Sequence, residues 1–406
     1  MNRSIKLGIV IVAMAIMLVM LPTLQKPAQS QGGATEAPAG FDNLTNGHIS
    51  QADFDTFRAT FEEQEEIDEG LGPTFNNTAC VNCHNVPITG GSSRQFETRA
   101  GHLDANGNFV EHPGGSLVQD RAINPSIKER VLSGEDATER ASVNTLGDGF
   151  VEAISDATLI GIRDSQPMSI QGVAISVPIL EATNGSTRLG RFGWKNQHAS
   201  LVSFSADAYL NEMGITSPLQ PVENTSDGNS VAAFDTVPDP EDIGGVDVNR
   251  FAQFMRATKV PPRDQSLVGK AQTTAGEQIF HNIGCDGCHI PTIVTAPAGT
   301  VLNGGFFTVS AALGNKIIHP YSDFLLHNIG THDPIVQNGG QSTFNMVRTA
   351  PLWGLRNRAS FLHDFSANTM TQAITSHGGQ AQGATDAFGA LPISDKERLL
   401  TFLESL

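Results

Sequence analysis

Apolar residues fall in short stretches along this chain, and two of those stretches share a plan. The segment DTFRATFEEQEEIDEGLGPTFNNTA (55–79) has helical character, and GKAQTTAGEQIFHNIG (269–284) carries apolar positions at intervals of three and four, the spacing that lines up one helix face. Each runs into a cysteine, Cys80 or Cys285. The chain closes on SDKERLLTFLESL, where Ser394 and Glu397 are expected to form a capping box ahead of Leu399, Leu400, Phe402 and Leu403. Between the two halves, PVENTSDGNSVAAFDTVPDPEDIGG is acidic, rich in Pro, Gly and Asp, and without period, the pattern of a linker or long surface loop over 221–247.

The first thirty residues differ. Arg3 and Lys6 precede an uncharged apolar run from Leu7 to Leu21, followed by Pro22 and the small-residue stretch Ala28–Ser30. This predicts a signal peptide over 1–30 and export to the periplasm. An uncleaved anchor is the alternative, because about twenty apolar residues span a bilayer. No cysteine follows the run, which argues against a lipoprotein. Removing residues 1–30 takes away Arg3, Lys6 and Lys26 and no acid, so the formal charge of −17 becomes −20. Such an acidic surface repels nucleic acid and anionic lipid and favours a basic soluble partner.

Four cysteines in an exported chain would ordinarily suggest disulfides. Their spacing argues otherwise: all four lie in CVNCH (Cys80, Cys83, His84) and CDGCH (Cys285, Cys288, His289). Two thiols three positions apart can add across the two vinyl groups of a haem, and the adjacent histidine can then ligate the iron. A paired zinc site wants its two CxxC units some fifteen to twenty residues apart, and gives no reason for a histidine after each. The motifs therefore predict two covalently bound c-type haems.

With 406 residues, the chain is longer than one usual core. The expected fold is mainly α, with two cytochrome c-like haem domains carrying long loop insertions: a disordered lead over 31–45, an N-terminal domain over 46–220 and a C-terminal domain over 248–406. The Gly-rich turns PITGGSS, HPGGS and LNGGFF are expected in such loops, with some short hairpins.

Several longer stretches carry a resemblance. RFGWKNQHASL with NEMGITSP (Arg191–Leu201, Asn211–Pro218), YSDFLLHNIG (Tyr321–Gly330) and VRTAPLWGLRNRASFLHDFSANTMTQAITSHGG (Val347–Gly379) resemble the di-haem cytochrome c peroxidase superfamily. Within it they are similar to the branch of di-haem peroxidases also called thiol-oxidoreductase-like proteins. The resemblance covers nearly everything after residue 45. It implies a six-coordinate second haem that transfers electrons and a first haem that meets hydrogen peroxide. In the superfamily the second haem's distal ligand lies fourteen residues beyond the histidine of an HDG-like turn and is a methionine in the peroxidases. Here FLHDF places that histidine at His363, and the count reaches His377.

The resemblance thus implies coordination by His289 and His377. A second imidazole supports ferric iron and lowers the potential, which argues against a high-potential cytochrome c as donor. Read on its own, His377 is a helix-ending residue with Gly378 as left-handed cap. Glycines beside a ligand would also let backbone pass close to the porphyrin.

Cleaving peroxide needs an open distal face and a group that moves a proton from the inner to the outer oxygen. In RASVNTLGDGFVEAI (140–154), Glu152 is the candidate acid/base, in apolar surroundings expected to raise its pKa. Its alternative is a solvated carboxylate at a helix start. Arg140 would support it or bind a haem propionate. Trp194 and Trp353 are candidates for electron relay or large core anchors. His198 is the residue that could close the first iron. The other histidines, His48, His102, His112, His281, His319, His327 and His332, are expected on surfaces or at propionates, and the methionines Met168, Met213, Met255, Met346 and Met370 in the core. A calcium ion between domains is usual in the superfamily, with Asn76 or Asn77 as side-chain candidates.

Three functions follow. The leading one is a peroxidase that passes electrons from a small soluble redox protein, through the C-terminal haem, to hydrogen peroxide at the N-terminal haem. The alternatives are a non-enzymatic di-haem electron-transfer cytochrome, and an oxidase or maturase acting on an organic or protein substrate through Trp194.

Overall fold

The computed structural model describes residues 33–406. The expected signal peptide lies outside the described residues. Residues Ala34–Leu406 pack as one compact unit, and among the described residues no helix is long and apolar enough to cross a membrane.

The helices are α1 (Gln51–Glu62), α2 (Cys80–Cys83), α3 (Asp148–Glu152), α4 (Asp156–Ser165), α5 (Leu201–Met213), α6 (Val246–Ala257), α7 (Ala271–Asn282), α8 (Met370–Thr375), α9 (Gln382–Ala390) and α10 (Ile393–Glu404). Helix accounts for 32% of the described residues and strand for 15%, so the fold is mixed α/β and the mainly α expectation is corrected. Much of the strand content lies in the first half. Phe96–Leu103 pairs antiparallel with Phe109–Glu111, Leu117–Val118 and Asp136–Ala141. The buried run in Phe96–Leu103 is Arg99, Ala100 and Gly101, three neighbours in place of every second residue, so the period-two signal of a half-buried strand is missing.

Two clusters of helices make the two main cores. In the first, Ser50 caps α1 by accepting the Asp53 N–H, and the helix buries Phe54 and Phe61. Helix α6 buries Val248, Phe251, Ala252 and Met255, spaced to form one face, and packs against both α1 and α5. This helix, expected to open the C-terminal domain, thus builds the core beside the first haem motif. In the second core, α7 and α10 lie against each other. Gly276 permits this approach, because a β-carbon there would meet the Arg398 carbonyl. Phe280 then packs on Phe402 and Tyr321, with ring centroids 5.3 and 6.0 Å apart.

Other local expectations change. Helix α10 begins after Pro392 with no side-chain cap, so the Ser394/Glu397 capping box does not form. The lead expected to be disordered is ordered from residue 33: Thr35–Glu36 pairs in parallel with Lys316–Ile318, and Ala39 bridges Val260. The acidic 221–247 segment is seated on the molecule, with Val231 buried and Ser226 and Asn229 exchanging backbone hydrogen bonds.

Candidate haem sites

Each CxxCH motif opens onto its own cavity. The first, of about 460 Å³, is lined by Cys80, Cys83 and His84; the second, of about 360 Å³, by Cys285, Cys288 and His289. Both volumes fall within the range of small-molecule and cofactor pockets. Burial pushes the Cys83 and Cys285 thiols up to about 12.

The two proximal candidates are held alike. His84 Nδ1 lies 2.9 Å from the Val143 carbonyl, and His289 Nδ1 lies 2.8 Å from the Tyr321 carbonyl. A carbonyl accepts, so Nδ1 carries the proton and Nε2 keeps its lone pair for iron. Burial lowers the pKa of both rings, that of His289 to about 4, which keeps them neutral.

His377 also lines the second cavity. Thr369 caps α8, the helix ends at Ser376, and the next residue turns its ring so that Nδ1 meets the Ala373 carbonyl at 2.7 Å. This again leaves Nε2 for a metal. The left-handed residue is Gly379 (φ 51°), while Gly378 is extended (φ −118°). Both glycines lie against backbone: Gly378 N–H donates to Ile329 O at 2.6 Å, and Gln380 N–H to Asn328 O at 2.9 Å. Close approach to the Asn328 carbonyl is what Gly379 provides, since a β-carbon there would meet that oxygen.

The polar groups suit a haem in each cavity. His363 is buried with both ring nitrogens unpartnered, and it lines the second cavity. Arg348 and Arg358 line it too, and burial pushes each down to about 10. Asp148 opposes that shift at Arg348, and no carboxylate does so at Arg358. Cations and an imidazole short of partners fit carboxylate propionates. Arg99, Arg121, Arg130 and Arg140 line the first cavity.

The expected catalytic residues separate. Glu152 is fully buried but lines neither cavity. Arg256 donates to both its oxygens at 2.6 and 2.9 Å, and Leu201 N–H and Asn303 Nδ2 each donate to Oε1 at 2.9 Å. Burial alone would raise its pKa, yet Arg256 and these bonds hold it below the usual carboxylate range, the reverse of the expected direction. Glu152 therefore joins α3, α5 and α6 as a fixed carboxylate. Arg140 does line the first cavity, paired through Nε and Nη2 with Asp333 at 3.0 and 3.1 Å. Trp194 lines both cavities, its indole N–H donating to Ala141 O at 2.8 Å and its ring 6.1 Å from that of His363. Trp353 lines neither.

His198 does not line the first cavity; its Nε2 lies 3.0 Å from Asp207, which does, and His84 is the one imidazole among the residues lining that space. The Asn76 amide bonds Glu212 and Asp120, and that of Asn77 bonds Thr78, Asn82 and Cys83. His327 is buried in the second cavity, with Nε2 2.8 Å from Asp323.

The acid group missed in the sequence is a pair. Glu97, on the sheet, and Glu212, on α5, both line the first cavity and are close enough to couple electrostatically. Arg99 donates to Glu97 at 2.8 and 3.0 Å. Against the effect of burial, Arg99 holds Glu97 down to about 2, whereas burial and the neighbouring Glu97 charge hold Glu212 well above the usual carboxylate range. The two carboxyls are coupled, and burial beside the Glu97 charge favours the protonated form of Glu212.

Hydrazine synthase from Kuenenia stuttgartiensis is 12% identical over 97% of this chain and 99% of that one, with a TM-score of 0.40. A MauG-like protein associated with microbial copper homeostasis is 14% identical over 92% and 93%, with a TM-score of 0.41. The diheme peroxidase BthA from Burkholderia thailandensis is 14% identical over 78% and 94%, with a TM-score of 0.32. No curated protein matches the chain. The family model described as "Di-haem oxidoreductase, putative peroxidase" matches residues 119–406, and the chain accordingly belongs to this family of di-haem, peroxidase-type oxidoreductase enzymes.

Proposed function

We propose that this enzyme reduces hydrogen peroxide in the periplasm, with electrons supplied by a small soluble redox protein. The observation that carries this reading is the contrast in lining: one imidazole with the neighbouring carboxyls Glu97 and Glu212 around the first cavity, four imidazoles, His289 and His377 among them, around the second. Cys80 and Cys83 would hold the first haem with His84 as iron ligand, and Cys285 and Cys288 the second with His289 and His377. Bound there, the haems would supply the two irons that accept, pass on and deliver electrons.

The chain's own residues supply the rest. Glu212 holds a proton at its carboxyl, facing the cavity, and Glu97 beside it takes the negative charge under Arg99. Such a pair can release a proton to one peroxide oxygen and take one from the other, the transfer that lets water leave. Arg140 holds Asp333 behind this wall, and Trp194 bridges the two cavities. At the second site, His289 and His377 each present an unprotonated Nε2.

Replacing Glu212 by Gln tests the reading in the haem-loaded protein. Peroxide turnover is expected to fall about a hundredfold or more, with the second haem's spectrum unchanged. An unchanged rate rejects Glu212 as the proton carrier.

A further inference from the structure

His112, expected on the surface, is 2% exposed. It follows the strand Phe109–Glu111, and its Nδ1 lies 2.9 and 3.0 Å from the two oxygens of Glu135. Its Nε2 is 3.2 Å from Asp227 Oδ1 but outside hydrogen-bonding geometry, so this nitrogen is buried without a partner. Beside it, buried Glu129 accepts the Gln119 N–H at 2.6 Å on one oxygen and the Asp227 N–H at 3.2 Å on the other. Ligand atoms of His112, Glu129 and Asp227 all lie within 4.8 Å of one another.

The charges do not balance. Among the described residues no Lys or Arg side chain pairs with Glu129, Glu135 or Asp227. Even a protonated His112 would leave two negative charges in excess, in a place where burial already raises the pKa of Glu129. An isolated buried charge is costly unless it is paired or bound to a metal. A cation would balance this site.

We propose that His112 Nε2, Glu129 and Asp227 form a binding site for one divalent ion of the zinc type, oriented by Glu135. A metal-ligating histidine characteristically donates its other ring N–H to a carboxylate, and ligating carboxylates are themselves hydrogen-bonded. Glu135 fills the first role, and the Gln119 and Asp227 amides fill the second. One imidazole with two carboxylates suits zinc; calcium and magnesium take oxygen ligands. The three ligands come from a strand end, the 125–130 turn and the 226–229 turn. The ion thus staples the acidic 221–247 segment to the sheet, and it steadies the wall of the first cavity that Gln119, Glu129 and Arg130 help to form.

Elemental analysis of the haem-loaded protein, incubated with zinc chloride and then exchanged into metal-free buffer, tests this. One zinc per chain beyond the iron is expected. A chelator should remove it and open residues 221–247 to protease, and added zinc should close them again. Glu135→Gln should weaken zinc binding about 10–100-fold, while Asp227→Asn and His112→Ala should abolish stoichiometric binding with the haem spectra kept. Should His112→Ala fail to fold, the partly exposed Asp227 decides through Asp227→Asn. No bound zinc, or binding equal to the parent in both Asp227→Asn and Glu135→Gln, overturns the proposal. None of these readouts depends on peroxide turnover.

Discussion

The two cavities begin from the same five-residue motif and end as opposite environments. The first gathers Glu97, Glu212, Asp207, Arg99 and Arg140 around one imidazole. The second surrounds four imidazoles with Leu352, Leu355, Ile374, Leu399 and Leu403. Ionisable groups belong where protons must move, and apolar walls belong where burial and axial ligands tune an electron carrier. On the proposed reading the motif sets where a haem would attach, and the rest of the chain decides what that haem could do.

The largest effect expected from breaking this contrast is on stability, at a carboxylate in neither cavity. Arg256→Met leaves Glu152 buried without its partner, and should cost about 3–5 kcal/mol, measured by denaturant unfolding. If Glu152 were instead the cavity acid, the loss would appear in peroxide turnover with stability kept. The pH dependence has a definite sign. Because the folded protein holds Glu152 below its ordinary value of 4.5, its contribution is full above that value and is lost as pH falls through the folded pKa.

Next comes the acid pair. Glu212→Gln, at a hundredfold, corresponds to about 2.7 kcal/mol of barrier. In the parent protein kcat/KM for peroxide should decline as pH rises through the upper step of the Glu97–Glu212 pair, and in Glu212→Gln that limb should vanish. His377→Met then addresses the second cavity alone: a thioether favours ferrous iron, so the second haem's potential should rise and its spectrum change. An unchanged spectrum would return His377 to a helix-ending role. Trp194→Phe is the mildest, removing one hydrogen bond of about 1 kcal/mol. It should slow electron passage between the haems while each haem's own spectrum stays as it was.

What could be seen in the sequence follows from the distances that the chemistry spans. Haem attachment, as proposed, would need Cys80, Cys83 and His84 within one turn of chain, so the motif is visible, and the family resemblance supplies the count from His363 to His377. Helices α1, α7 and α10 show their faces by period. The acid pair shows no such sign: Glu212 sits in the quoted NEMGITSP stretch, but its proton depends on Glu97, a strand residue brought to it by the fold. Glu152 misled because its apolar neighbours in sequence implied a raised pKa, whereas Arg256, its partner in space, lowers it. The strands were missed because Phe96–Leu103 buries consecutive residues. His112 gave no signal at all, since its carboxylates come from three separate turns.

EPR with optical titration of the haem-loaded protein, with and without hydrogen peroxide, tests the contrast between the cavities most directly. The account predicts one haem with an open position, giving a high-spin signal that peroxide removes, beside one low-spin haem that His377→Met alters. Two low-spin signals at every poise, with no turnover of peroxide, would contradict it.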